Sequence, residues 1–111
     1  MKLLGISGGP TQSSKTLLAV NAAVDYAYKL DSSIDIELLN ISYVDVQFCD
    51  ARDPANYEGD ARILIDKISD ADAYVIGTPM YRGTYTGILK NLFDLIPNES
   101  MIGKPVGLIA T

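Results

Sequence analysis

Two glycine-rich stretches hold most of the residues in this sequence that are equipped for chemistry. The first is Gly77-Thr78-Pro79-Met80-Tyr81-Arg82-Gly83-Thr84-Tyr85-Thr86-Gly87, which gathers two tyrosines, a methionine and an arginine between glycines. Aromatic rings beside closely approaching backbone suit a flat, conjugated ligand. The second is Gly8-Gly9-Pro10-Thr11-Gln12-Ser13-Ser14-Lys15-Thr16. It offers hydroxyl donors, one ammonium group and an unencumbered backbone, the chemistry that holds a phosphate at a helix N-terminus.

Known phosphate motifs fit the second stretch unevenly. The dinucleotide fingerprint G-x-G-x-x-G fails, because Gly5 and Gly8 are wrongly spaced and no glycine follows Gly9 at the third position. The pattern G-x-x-x-x-G-K-[ST] nearly fits from Gly9 to Thr16, with Ser14 where the second glycine belongs. Serine adopts that glycine's backbone conformation poorly, and no magnesium-holding carboxylate follows residues 73–76. A simple capped turn explains the glycines and Ser14, but not so many hydroxyls ahead of an acid-free helix. A flavin mononucleotide site accounts for both stretches together. Its phosphate would rest on the Ser/Thr loop, and its ring against residues 78–85. A flavodoxin-type electron carrier and a phosphate-binding module remain as rival readings.

Both stretches must be positioned by strands. Residues 73–76 form an apolar run before the tyrosine loop, and residues 88–94 read as a helix after it. Residues 2–7 read as a strand before the first loop. Ser14 caps a helix over 15–30, with Leu17, Val20, Val24 and Ala27 facing a sheet. Residues 34–38 alternate apolar and acidic, which predicts a strand with one exposed face near a sheet edge. Residues 41–57 read as a long loop with an apolar anchor. Residues 58–69 predict an amphipathic helix, residues 86–95 a third helix in which Lys90 and Asp94 pair, and residues 106–110 a fourth strand. Strand and helix alternate throughout, so the expected fold is α/β: a doubly wound parallel sheet in a three-layer α/β/α arrangement. Ligands of such sheets sit at the carboxyl ends of the strands. Residues 1–111 are expected to form a single domain, truncated after its fourth strand.

The residues of both loops resemble the NADPH-dependent FMN reductase family. Gly8 to Thr16 is similar to its G-S-x-R-x-x-S-x-[ST] phosphate loop, and Thr78 to Asn91 to its second flavin loop and following helix. Among family members, the chain most resembles reductases that feed reduced flavin to sulfonate monooxygenases. The resemblance implies a flavodoxin-like fold, FMN as cofactor and NADPH or NADH as hydride donor. It implies phosphate contacts from Ser14, Lys15 and Thr16. It also implies ring and ribityl contacts from Pro79, Met80, Tyr81, Arg82 and Gly83. Gly9 replaces a family serine and Thr11 a family arginine. The family's third flavin loop would begin around Thr111. Partners implied are flavin and nicotinamide nucleotides, a homodimer or homotetramer, and a flavin-dependent monooxygenase. Hydride transfer needs ring stacking rather than a general base, so the lack of histidine is no obstacle. No side chain is expected to be catalytic and no metal is expected. Backbone N–H groups around Met80 to Gly83 are expected to stabilise reduced flavin.

Bulk composition agrees. The net charge of −5 disfavours nucleic acid and anionic membranes. From Asp25 to Asp72 there are twelve acidic and four basic residues, a balance of −8; the rest has two and five, a balance of +3. Neither glycine loop holds an acid, as suits an anionic ligand. No apolar run reaches the length of a membrane span. The single cysteine, Cys49, allows no intrachain disulfide, and a cytoplasmic protein is expected. Cys49 reads as a packing or loop thiol, since no histidine is present to activate it.

Overall fold

The computed structural model describes residues 1–111. Four parallel strands, β1 (Lys2–Ser7), β2 (Asp35–Asn40), β3 (Ala73–Thr78) and β4 (Val106–Ala110), pair in the order β2-β1-β3-β4. Three helices connect them: α1 (Lys15–Leu30), α2 (Gly59–Asp70) and α3 (Gly87–Leu95). The expected strand–helix order and parallel sheet are present, in the three-layer flavodoxin-like arrangement.

Side-chain alternation along the central strands builds the two faces. Leu4, Ile6, Tyr74 and Ile76 point to one face and pack with Leu64 and Ile68 of α2 and Leu89 and Leu92 of α3. Leu3 and Ala73 point to the other, where they meet Val24 of α1. Here α1 comes unusually close. A Cβ on Gly5 would lie 2.9 Å from methyl groups of both Val20 and Val24. A Cβ on Gly77 would overlap Val20 Cγ2 and lie 3.0 Å from Thr16 Cγ2. These two glycines let the helix sink onto β1 and β3.

Element ends follow local chemistry. Ser14 caps α1, its Oγ accepting from the Leu17 N–H at 3.1 Å. Thr86 caps α3, so that helix begins one residue later than expected. Likewise Glu58 is the residue before α2 rather than its first, and Gly59 takes a positive φ of 63° there. Strand β2 starts and ends later than the alternation predicts. Ile34 N–H bonds to Asp31 O in the preceding turn, while Leu39 and Asn40 continue the ladder opposite Ile6 and Ser7. The strand does lie at a sheet edge, and its Glu37 pairs with Lys67 of α2 and Lys2 of β1.

Residues 41–57 contain two short helical turns, Ile41–Tyr43 and Pro54–Asn56. Ile41 and Tyr57 are buried anchors, and Val44 and Val46 pack partly beneath. Asn91 of α3 fastens the segment from outside. Its Oδ1 accepts from Cys49 N–H at 2.8 Å and its Nδ2 donates to Gln47 O at 2.9 Å. Cys49 is half-buried, its Sγ 3.3 Å from Asp94 O. Lys90 and Asp94 form the expected pair. On the opposite edge of the sheet, β4 is open, with Leu108 79% exposed.

Two stability predictions follow from this packing. Gly77→Ala is expected to cost about 1–3 kcal/mol by overpacking. In urea denaturation the double variant Gly77→Ala/Val20→Ala should be more stable than the sum of the single effects. Thr86→Val keeps the β-branched shape but removes the cap and a bond to Gly8 O, and should cost about 1–2 kcal/mol by the same measurement.

Candidate functional site

The carboxyl ends of β1 and β3 lie side by side because the two strands pair directly, with Ser7 opposite Gly77. The loops that follow are then bolted together. Gly8 N–H donates to Gly77 O at 2.8 Å. The buried Thr86 hydroxyl donates to Gly8 O at 2.7 Å while accepting from Leu89 N–H at 3.3 Å. Thr86 N–H in turn donates to Thr78 Oγ1 at 3.2 Å. Asn40, at the end of β2, reaches the first loop from the other side, its Nδ2 donating to Gln12 O at 3.3 Å.

Between the loops lies a cleft of about 330 Å³. Ser14, Lys15 and Thr16 line one wall and Pro79, Met80 and Tyr81 the other, with Gly9, Pro10, Thr11 and Thr111 completing it. Six of the eight expected residues therefore meet in one place. Arg82 and Gly83 do not line the cleft. They form the tip of a hairpin in which Tyr81 and Thr84 exchange backbone hydrogen bonds of 2.9 and 3.2 Å. Their φ angles of 54° and 77° are both left-handed, as a type I′ turn demands. Glycine suits this at Gly83; arginine carries strain there.

The hairpin corrects one expectation. The N–H groups of Met80 and Tyr81 are engaged within the protein, donating to Thr111 O at 3.1 Å and Thr84 O at 2.9 Å. They are not free to stabilise charge on a ligand in this arrangement. Arg82 and Gly83 N–H groups have no protein acceptor, but they stand at the tip.

The first loop holds the donors. None of the N–H groups of Gly9 and of Thr11 to Thr16 donates to a protein acceptor, although Thr16 is only 1% exposed. Buried N–H groups are nearly always paired, so the unpaired donors of buried Gly9 and Thr16, with the more exposed ones between them at a helix N-terminus, suit an anion. No Asp or Glu side chain lines the cleft, and Lys15 supplies positive charge. Gly9 sits where a Cβ would come within 3.2 Å of Ser14 Oγ, crowding the cap. These features fit the phosphate of a flavin nucleotide.

Thr111 and Asn40 were not among the expected site residues. Thr111 follows a parallel strand directly, and that position is the signal that marks it. Asn40's contact gives no local sign in the sequence. A larger cavity of about 520 Å³ lies by Cys49, but its arginines are engaged by Asp50 and Asp66. Tyr85 faces another space of about 500 Å³, apolar and bounded by α3 and β4, with Met80 bordering both this space and the cleft.

Known proteins resemble this chain in sequence and fold. The chain is 43% identical over 110 residues to an NAD(P)H-dependent FAD/FMN reductase of Geobacillus thermodenitrificans, covering 99% of this chain and 59% of that protein. It is 34% identical to an FMN reductase (NADPH) of Pseudomonas aeruginosa, again covering 99% and 59%. The chain thus spans about three-fifths of the curated relatives it matches. Among solved structures, the NADH:FMN oxidoreductase EMOB superposes with a TM-score of 0.75 at 22% identity, covering 95% of this chain and 55% of that one, which establishes a common fold. The model of the NADPH-dependent FMN reductase family matches residues 1–111, and the chain belongs to that family.

Proposed function

We propose that this chain forms the flavin-phosphate and ring-edge part of an NAD(P)H-dependent FMN reductase. The observation that carries the proposal is the meeting of both glycine loops in one carboxylate-free cleft, with unpaired N–H donors at the α1 terminus. The length of its relatives and the exposure of Leu108 on β4 support reading residues 1–111 as part of a larger flavodoxin-like domain.

FMN, when bound, supplies the redox centre that takes a hydride from the nicotinamide and passes electrons to an acceptor. The chain's own residues bind and orient. The N–H groups of the first loop, the Ser14 and Thr16 hydroxyls and Lys15 would hold the phosphate. Ser14 Oγ accepts from Leu17 N–H, which leaves its proton for a phosphate oxygen. Pro79, Met80 and Tyr81 would flank the ribityl chain and the ring, and Arg82, at the hairpin tip, would offer its charge to a phosphate of the flavin or the nicotinamide nucleotide. The acceptor would be a small oxidant such as free flavin or a quinone, a second subunit in a homodimer or homotetramer would complete the flavin site, and a flavin-dependent monooxygenase would be the consumer of reduced flavin.

Two experiments test this reading. Titration with FMN should quench flavin fluorescence and shift its absorbance, and anaerobic NADPH should then bleach the flavin band. Binding without bleaching would point to electron carriage or to a nicotinamide site completed outside residues 1–111, and a folded chain that leaves FMN unquenched would refute a flavin site formed by these residues alone. In the second, Arg82→Gly relieves about 1–2 kcal/mol of left-handed strain, against about 0.4–1 kcal/mol from glycine's freer unfolded chain. Stability should hold or rise in thermal melts while the apparent affinity for NADPH falls several-fold.

A further inference from the structure

The Thr16 hydroxyl has a partner that the phosphate-loop reading does not use. Thr16 is almost fully buried, and its Cγ2 methyl is pressed toward the space left by the missing side chain of Gly77. Its Oγ1 lies 2.7 Å from Oγ1 of Thr111. That is an ordinary distance between hydrogen-bonded hydroxyls. Thr111 is itself held on both sides of its backbone. Its N–H donates to Thr78 O at 3.0 Å, and its carbonyl accepts from Met80 N–H at 3.1 Å. The Thr111 hydroxyl is thus fixed by β3 and the second loop, yet it touches the first.

Each hydroxyl carries one proton and the pair uses only one. Where an anion lies beside Thr16, the favoured arrangement has Thr111 donating to Thr16 and Thr16 donating onward. Each bond then polarises the next. We propose that Thr111 is a positioning residue that sets the Thr16 hydroxyl as a donor to a phosphate monoester, and so favours the phosphorylated flavin over the bare one. This rests on the flavin reading above. It assigns to Thr111 a side-chain role exerted on the phosphate through Thr16.

The test compares FMN with riboflavin by fluorescence quenching, using the full chain and four variants: Thr111→Val, Thr111→Ser, Thr16→Val and the double Thr16→Val/Thr111→Val. Circular dichroism checks that each is folded. Thr111→Val should weaken FMN binding by on the order of tenfold, the scale of one hydrogen bond to a charged group. Riboflavin binding should change less than about twofold, since it lacks the charged acceptor. Thr111→Ser should restore FMN affinity, and Thr111→Val should have no further effect once Thr16 is valine. Equal losses for FMN and riboflavin, or additive losses in the double variant, would make the pair a mere brace between α1 and β4 and overturn the inference. Unchanged FMN affinity in Thr111→Val would overturn it as well. All three outcomes leave the flavin reading intact, whereas a folded wild-type chain that binds neither compound overturns that reading and the inference with it.

Discussion

The close seating of α1 on β1 and β3 is the constraint on which the rest of the site depends. Val20 and Val24 occupy the space above Gly5, and Val20 the space above Gly77, that any side chain there would fill. This depth of approach places the first turn of α1 directly beside the carboxyl end of β3. Thr16 can then stand between Gly77 and Thr111, and the donors of the first loop can face the second. A helix raised by the thickness of a methyl group would tilt its N-terminus away from the cleft. Packing on one face of the sheet therefore sets the geometry of polar groups at its edge.

The opposite face contributes through Thr86. Its hydroxyl caps α3 and anchors Gly8 at once. Because α3 is packed by Leu89, Leu92 and Leu95, the first loop is tied to the main hydrophobic core through a single side chain. The two layers of helices thus act on neighbouring points of β1, β3 and the first loop, α1 by steric fit at Gly5 and Gly77 and α3 by hydrogen bonding at Gly8. Rigid walls on both sides suit a site whose work is orientation, because the reactive chemistry belongs to the cofactor.

Much of this was legible in the residues. The strand–helix alternation, the Ser14 cap and the two glycine loops each have a local signature, and the structure places them as expected. What escaped the sequence depends on long-range pairing. The limits of β2 are set by its ladder with β1, and Leu38-Leu39 breaks the alternation that would have marked them. The Thr86–Gly8 bond spans 78 positions and the Thr16–Thr111 contact spans 95, so no window of sequence shows either. The engagement of Met80 and Tyr81 N–H groups was equally hidden. For Met80 it follows from the approach of Thr111 at the end of β4, and for Tyr81 from a hairpin whose second residue, Arg82, is an unexpected occupant of left-handed backbone.

The carboxylate-free cleft also has a kinetic meaning. At the other end of the sheet, Asp35 lies beside Lys2 across the ladder, and Asp72 accepts from Lys2 N–H. The chain carries a net charge of −5, while the cleft end carries Lys15 and the positive pole of α1. On the flavin-phosphate reading proposed above, a phosphorylated ligand within about one Debye length, ~8 Å at physiological salt, would be repelled by the acid-rich remainder and attracted at that end, so encounters would be selected by orientation before any contact forms. Added salt weakens the discrimination against wrong approaches together with the attraction toward the right one.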